Sequence, residues 1–276
     1  MRPAWVAFLN AQFGTTIFTY LVPNYVILFA IAATMAAIRA VARTRRLHLD
    51  ASVMYGMCLW AIPAGLAGAR LWTWLVLPPA ERGGLAGLLD PLAVGLTEYG
   101  GYAGGVTAAF LYLRRTGQLF WRYVDAAVPE VVTAAGLVRL GCFLDGDDFG
   151  APTTSLVAVR FPAGSPAHDV HRLHGLIPAD AAWSLPVHPV QIYFSLACLA
   201  IAVVGARWVR RPAAAAGETF WVVAGLFAIM RFLLEFLRGD VPARAFGLLT
   251  DAQLVSIPVA LAAAAALWRL RRRQAQ

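Results

Sequence analysis

Residues 188–208 read His188-Pro189-Val190-Gln191-Ile192-Tyr193-Phe194-Ser195-Leu196-Ala197-Cys198-Leu199-Ala200-Ile201-Ala202-Val203-Val204-Gly205-Ala206-Arg207-Trp208. The run has one charged residue, Arg207, near its end. A helix needs about 20 apolar residues to cross a hydrocarbon core of roughly 30 Å. Further runs of this kind lie near 18–38, 52–76, 92–113, 122–143, 219–237 and 247–268. The expected fold is therefore all-α: a polytopic membrane protein of about seven transmembrane helices, forming a single integral-membrane domain over 1–276. The 122–143 run is the weakest, because Asp125, Pro129, Glu130 and Arg139 interrupt it. This predicts a helix buried among its neighbours rather than facing lipid. Residues 144–187 are polar and carry three histidines, which predicts a small extramembrane cap or a partly re-entrant segment.

Composition agrees with this reading. Of 276 residues, 60% are hydrophobic and 14% charged, too few polar side chains to cover a soluble domain and too many apolar ones for disorder. The net charge of +8 comes from 23 basic residues, all arginine, and it invites a nucleic-acid reading. Their distribution argues against one. Arg39, Arg43, Arg45, Arg46, Arg114, Arg115, Arg122, Arg207, Arg210, Arg211, Arg269, Arg271, Arg272 and Arg273 fall on one side of the expected spans, and Arg2, Arg82, Arg160, Arg172 and Arg244 on the other. Short cytoplasmic loops collect positive charge, so the N-terminus and 144–187 are expected outside and the C-terminus in the cytoplasm. No nucleic-acid partner is needed. The start of the chain shows no clear cleavage site, so the first helix is expected to stay. Cys58, Cys142 and Cys198 lack CxxC spacing and indicate neither a zinc cluster nor a disulfide framework.

Arg70, Arg139, Arg231 and Arg238 lie inside or at the edge of apolar runs. A mid-helix arginine costs about 2.5–3.5 kcal/mol on insertion scales, so it normally faces a carboxylate, a wet cavity or an anionic ligand. Glu235 follows Arg231 by four residues and precedes Arg238 by three, which would place all three on one helix face. The stripe reads either as an internal ion-pair ladder or as a partly neutralised patch whose surplus charge recognises phosphate. From Gly136 to Gly150 an apolar run ends in glycines with Asp145, Asp147 and Asp148. The spacing is not that of an EF-hand, and the aspartates read better as caps or arginine partners than as metal ligands. Glu98-Tyr99-Gly100-Gly101-Tyr102-Ala103-Gly104-Gly105 reads as close helix packing or as bare backbone for a lipid headgroup. His168, His171 and His174 read as a solvated surface. His188, before Pro189, reads first as a helix-start histidine bonded to backbone.

Taken in order, these segments resemble the bacterial prolipoprotein diacylglyceryl transferase family. The resemblance is carried by Tyr20, Gly68-Ala69-Arg70-Leu71, Tyr99-Gly100-Gly101, the R-x-G-x-F-x-x-G-x-x-x-G pattern from Arg139 to Gly150, His188-Pro189-x-Gln191-x-Tyr193, and Arg231-Phe232-x-x-Glu235-Phe236-x-Arg238. It implies a multi-pass enzyme of the bacterial inner membrane that needs no cofactor or metal. The implied reaction moves a diacylglyceryl group from phosphatidylglycerol to the lipobox cysteine thiol of a preprolipoprotein signal peptide, releasing glycerol phosphate. Arg139 and Arg231 match phosphate-binding positions of the family, and Glu235 matches the carboxylate beside them. With Tyr99 they form the expected catalytic set. Tyr20, Arg70, Gly100, Gly101, Gly141, Asp145, Gly150, His188, Gln191 and Arg238 are the expected substrate-binding residues. The chain departs from the family pattern at Tyr99 (often histidine), Cys142 (usually asparagine), Phe194 (glutamate) and Phe227 (tyrosine), which leaves Tyr99 and His188 as candidate bases. These departures keep two alternatives open: a paralogue with another acceptor, and a non-catalytic phospholipid-binding or transport protein.

Overall fold

The computed structural model describes residues 11–12, 24–78, 82–89, 97–241 and 247–274. Among them are nine numbered α-helices and no strand longer than an isolated bridge: α1 (Asn24–Arg46), α2 (Ala51–Val76), α3 (Gly84–Leu89), α4 (Glu98–Arg115), α5 (Phe120–Asp145), α6 (Pro166–Leu173), α7 (Val190–Trp208), α8 (Glu218–Glu235) and α9 (Asp251–Gln274). The fold is all-α and polytopic. Each apolar run of the sequence corresponds, over its described residues, to one long helix, the runs near 18–38 and 92–113 being described as helix from Asn24 and Glu98. Among the described residues five segments are long and apolar enough to cross a membrane: Ile27–Arg46, Ala51–Val76, Phe120–Asp145, Val190–Trp208 and Asp251–Gln274. α4 and α8 have 18 residues each and carry three charges each, Glu98, Arg114 and Arg115 in one and Glu218, Arg231 and Glu235 in the other. The weakest spans are thus α4 and α8, not the 122–143 run, because α5 is 26 residues long and keeps Asp125 and Glu130 buried in protein. Side chains such as Trp60 and Leu196, 65% and 62% exposed, suit a lipid surround.

The chain packs as two compact units, Ala37–Ala127 and the described parts of Met1–Ala36 with Val128–Gln276. In the first, α2 and α4 cross on glycine. A Cβ on Gly68 would run into the Gly100 carbonyl, and one on Gly104 into the Ala64 carbonyl, so backbone meets backbone. Met54 and Leu113 fill the adjoining core with Val53, Met57 and Tyr123.

In the second unit Val132 of α5, Phe194, Cys198 and Ile201 of α7, and Val223 and Met230 of α8 form one core. Gly136 lets α5 approach α7, since its Cβ would sit 3.1 Å from the Ser195 carbonyl. α8 packs on α9, where Gln253 donates to the Phe232 carbonyl at 3.2 Å. The segment after α5 builds a small cap around Phe149, Phe161, Ala167 and Val187. Ser165 caps α6 by accepting from the His168 amide at 3.3 Å. The histidine reading needs correction here. His168 and His171 are buried, with His168 Nε2 2.8 Å from the Ala181 carbonyl and His171 Nδ1 accepting from the Leu185 amide at 3.2 Å. They stand three residues apart on the inward face of α6, beside Ala167, and only His174 is exposed.

Candidate active site

Arg139 lies on α5 six residues before the helix closes at Asp145. Gly146, at φ 77°, donates to the Cys142 carbonyl at 2.8 Å and turns the chain back. Asp148 takes the left-handed conformation too, at φ 53°, which aspartate tolerates better than most side chains. The turn brings its carboxylate onto the helix it follows, and Arg139 NH1 donates to Asp148 Oδ2. From ninety residues away Arg238 NH2 donates to Asp148 Oδ1 at 2.6 Å. Arg238 also holds Asp240, through Nε at 2.6 Å and NH2 at 2.7 Å. Burial pushes the Asp148 carboxyl up, but the Arg139, Arg238 and Arg231 guanidiniums outweigh it and bring it down to about 2.

Arg231 pairs with Glu235 along α8 at 3.5 Å, and the Glu235 side chain is 2% exposed. The expected three-residue stripe is only half realised. α8 ends at Glu235, and the backbone of Arg238 instead pairs with Gly150 in an isolated antiparallel bridge, which carries its side chain to Asp148 and Asp240. Of the two readings of the stripe, the charge balance is that of an ion-pair network, with Asp148, Glu235 and Asp240 standing against Arg139, Arg231 and Arg238.

Phe194, on α7, ties two of the arginines together. The Arg139 and Arg231 guanidinium carbons lie 4.5 and 5.6 Å from the centre of its ring, and Phe227 meets the same ring edge-on at 5.7 Å. Two of the positions where the chain departs from the family pattern therefore touch each other. A third, Cys142, is buried, and its sulfur and a carboxylate oxygen of Asp147 and of Asp148 all lie within 4.8 Å of one another. Those donor types suit a cation, but the two guanidiniums on Asp148 oppose one there.

Three chain segments meet at Gly150. Its amide donates to the His188 carbonyl at 3.2 Å, the Ala151 amide to Leu237 at 2.8 Å, His188 to the Ala151 carbonyl at 3.1 Å, and Gly239 to the Phe149 carbonyl at 3.0 Å. Gln191 is 1% exposed and donates to the Asp147 carbonyl at 2.7 Å, so it braces the turn. The His188 Nδ1 lies 3.4 Å from the Tyr193 hydroxyl rather than on backbone, while the His188 main-chain groups bond Gly150 and Ala151. Gly141 is buried on α5 two residues past Arg139.

The structure thus gathers Arg139, Gly141, Asp145, Gly150, His188, Gln191, Arg231, Glu235 and Arg238 in one unit. Arg70, Tyr99, Gly100 and Gly101 belong to the other. There Arg70 donates to the Gly87 and Leu88 carbonyls, the latter at 3.1 Å, at the end of α3. Gly100 faces Gly68 and Trp72 across the helix crossing, while Gly101 has only ordinary contacts at 3.7 Å. Tyr99 is half-buried in the first turn of α4. Tyr20 lies outside the described residues. The reading of the aspartates after α5 as arginine partners holds for Asp148, although Asp145 was the one placed among the expected substrate-binding residues. The signal available was the run of acidic residues after a helix that carries a buried arginine.

A family model described as prolipoprotein diacylglyceryl transferase matches residues 15–269. The chain is similar to proteins named phosphatidylglycerol–prolipoprotein diacylglyceryl transferase. That of Clostridium tetani is 26% identical over 234 residues, covering 85% of this chain and 87% of that protein. That of Frankia alni is 29% identical over 251 residues, covering 90% and 63%. That of Nitratidesulfovibrio vulgaris is 30% identical over 210 residues, covering 74% and 71%.

Proposed function

The chain belongs to the prolipoprotein diacylglyceryl transferase family, and on that premise we propose that it transfers diacylglyceryl from phosphatidylglycerol to the lipobox cysteine of a preprolipoprotein signal peptide. The observation that carries this reading is the pair of largely buried guanidiniums, Arg139 and Arg231, each 13% exposed and both set over the Phe194 ring. Each is paired with a carboxylate, Asp148 or Glu235, and a guanidinium carries five N–H donors in the planar fork that suits a phosphate.

In the reaction the cysteine thiolate attacks the glyceryl carbon of the lipid. A carbon–sulfur bond forms, the carbon–oxygen bond to phosphate breaks, and glycerol phosphate leaves with the electron pair. The thiol proton goes to a base, because only the thiolate is a competent nucleophile. Arg139 and Arg231 hold the phosphate and stabilise the charge that grows on its leaving oxygen. Glu235, buried and four residues on, fixes the direction of the Arg231 guanidinium. Arg238 secures the Asp148 turn, and Gln191 braces it from α7. His188 and Tyr99 are the candidates for the proton. Arg70, Gly100 and Gly101 shape the α2–α4 pair on which Tyr99 is carried, and Tyr20 completes the expected substrate contacts. The same reading sets the N-terminus and the 144–187 cap outside and the C-terminus in the cytoplasm of a bacterial inner membrane.

The test is turnover of the detergent-solubilised protein with phosphatidylglycerol and a lipobox peptide, read as peptide mass and released glycerol phosphate. Arg231→Ala is expected to lower turnover by about a hundredfold or more, the usual loss when one donor to a developing anion is removed. Full turnover by that variant would overturn the assignment, and consumption of lipid with no gain on the peptide would favour another acceptor.

A further inference from the structure

Asp148 contacts two arginines at once, and its oxygens are divided between them: Oδ2 accepts from Arg139, Oδ1 from Arg238. Arg238 makes two bonds to Asp240 besides the one to Asp148. Arg139 keeps its seat over Phe194, 4.5 Å from the ring centre. The Asp148 side chain is 28% exposed against 13% for Arg139 and 7% for Arg238, so it is the outermost member of the group. It rides on a turn rather than a helix, between Gly146 and the backbone crossing at Gly150.

A phosphodiester presents to a guanidinium what a carboxylate presents, delocalised negative charge on oxygen acceptors. The two compete for the donors of the Arg139 NH1 nitrogen. We propose that Asp148 is a specificity-determining residue, an internal carboxylate that holds Arg139 until the phosphate of an anionic lipid replaces it, and that then stays with Arg238. The proposal rests on the phosphatidylglycerol reading given above. Exchanging one anion for another keeps the buried guanidinium matched throughout. A lipid without a negative headgroup has nothing to offer Arg139 in return, so the carboxylate excludes it. Protonation does not open this route, because the neighbouring arginines keep Asp148 ionised down to about pH 2 against the effect of its burial.

The experiment measures binding of phosphatidylglycerol and of diacylglycerol to the purified full-length protein in detergent, for wild type, Asp148→Asn and Asp148→Glu. Asparagine keeps the shape and the tolerance for left-handed backbone while removing the charge. Asp148→Asn is expected to bind phosphatidylglycerol about tenfold more tightly, equivalent to about 1.4 kcal/mol, and to gain binding of diacylglycerol that the carboxylate otherwise excludes, with Asp148→Glu close to wild type. Equal or weaker phosphatidylglycerol binding by Asp148→Asn, restored by Asp148→Glu, would overturn the exchange and make Asp148 an anchor of the cluster. Infrared difference spectra of the wild-type protein read the exchange without any substitution. A carboxylate band that shifts with phosphatidylglycerol and not with diacylglycerol is expected, and an unchanged carboxylate region would overturn it. If no variant binds phosphatidylglycerol while all remain folded, the functional reading falls, and the exchange with it.

Discussion

Replacing Gly150 by alanine adds one methyl group where three segments cross. The new Cβ would meet the His188 carbonyl oxygen, and it would lie 2.7 Å from both His188 Cβ and Val190 Cγ2. Carbon atoms rest at about 3.5–4.0 Å, so one strand of the crossing must retreat by about 1 Å. The His188 carbonyl and Cβ move only with the backbone, and the third atom in the way is a methyl of β-branched Val190, whose χ1 is stiff, at the start of α7. Overpacking of this kind costs about 1–3 kcal/mol, a modest part of what holds a chain of this size. The effect on chemistry should be much larger. The retreat strains the Gly150–His188 and His188–Ala151 bonds, of 3.2 and 3.1 Å, and shifts the bridge that delivers Arg238 to Asp148. Misplacing a reacting group by about 1 Å can cost about a hundredfold in rate. Gly150→Ala is therefore expected to melt slightly lower than wild type in the same detergent while turning over about a hundredfold more slowly. A variant with wild-type turnover would refute the claim that this crossing sets the arginine geometry.

Two further substitutions probe other parts of the structure. Gly100→Val should force α2 and α4 apart, since even a Cβ would strike Gly68 and Trp72, while Gly101→Ala, with contacts at 3.7 Å, should be nearly neutral; equal melting midpoints for the two variants would contradict the packing described here. Burial, and then the Asp148 charge, push the Asp147 carboxyl from 3.8 to about 7. Between these values the folded chain holds a proton that the unfolded chain has lost, so stability falls as pH rises through that window. Asp147→Asn should flatten the dependence of the melting midpoint on pH and raise the midpoint above about pH 7; an unchanged slope would show that another group titrates there.

The helices were largely legible because a run of about 20 apolar residues has few other uses. The Arg231–Glu235 pair was legible for a similar reason, since four-residue spacing within one helix fixes proximity. Legibility ended where a helix ended. Spacing continued the α8 face to Arg238, but pairing with Gly150 takes that residue out of the helix, and nothing local encodes a partner ninety positions away. Asp148 lay in plain view beside Asp145, yet which of the acidic residues turns back onto Arg139 depends on the left-handed steps at Gly146 and Asp148. Phe194 stood out as a departure from the family pattern, but its place beneath two guanidiniums leaves no mark on hydropathy. The cap histidines were misread for the opposite reason. A polar composition suggested solvent, but on a helix as short as α6 the inward face is set by three-residue spacing, and buried backbone groups supply the ring partners.

Four main-chain bonds run through the crossing at Gly150: Gly150 to His188, His188 to Ala151, Ala151 to Leu237 and Gly239 to Phe149. A frame of that kind carries no side-chain identity except the absence of one at Gly150 and at Gly239, whose Cβ would press on the Gly150 carbonyl. Neighbouring side chains can therefore drift during evolution without moving the guanidiniums. Changes of chemical type, such as the ring at Phe194 or the thiol at Cys142, become variations on a fixed chassis, open to selection one at a time.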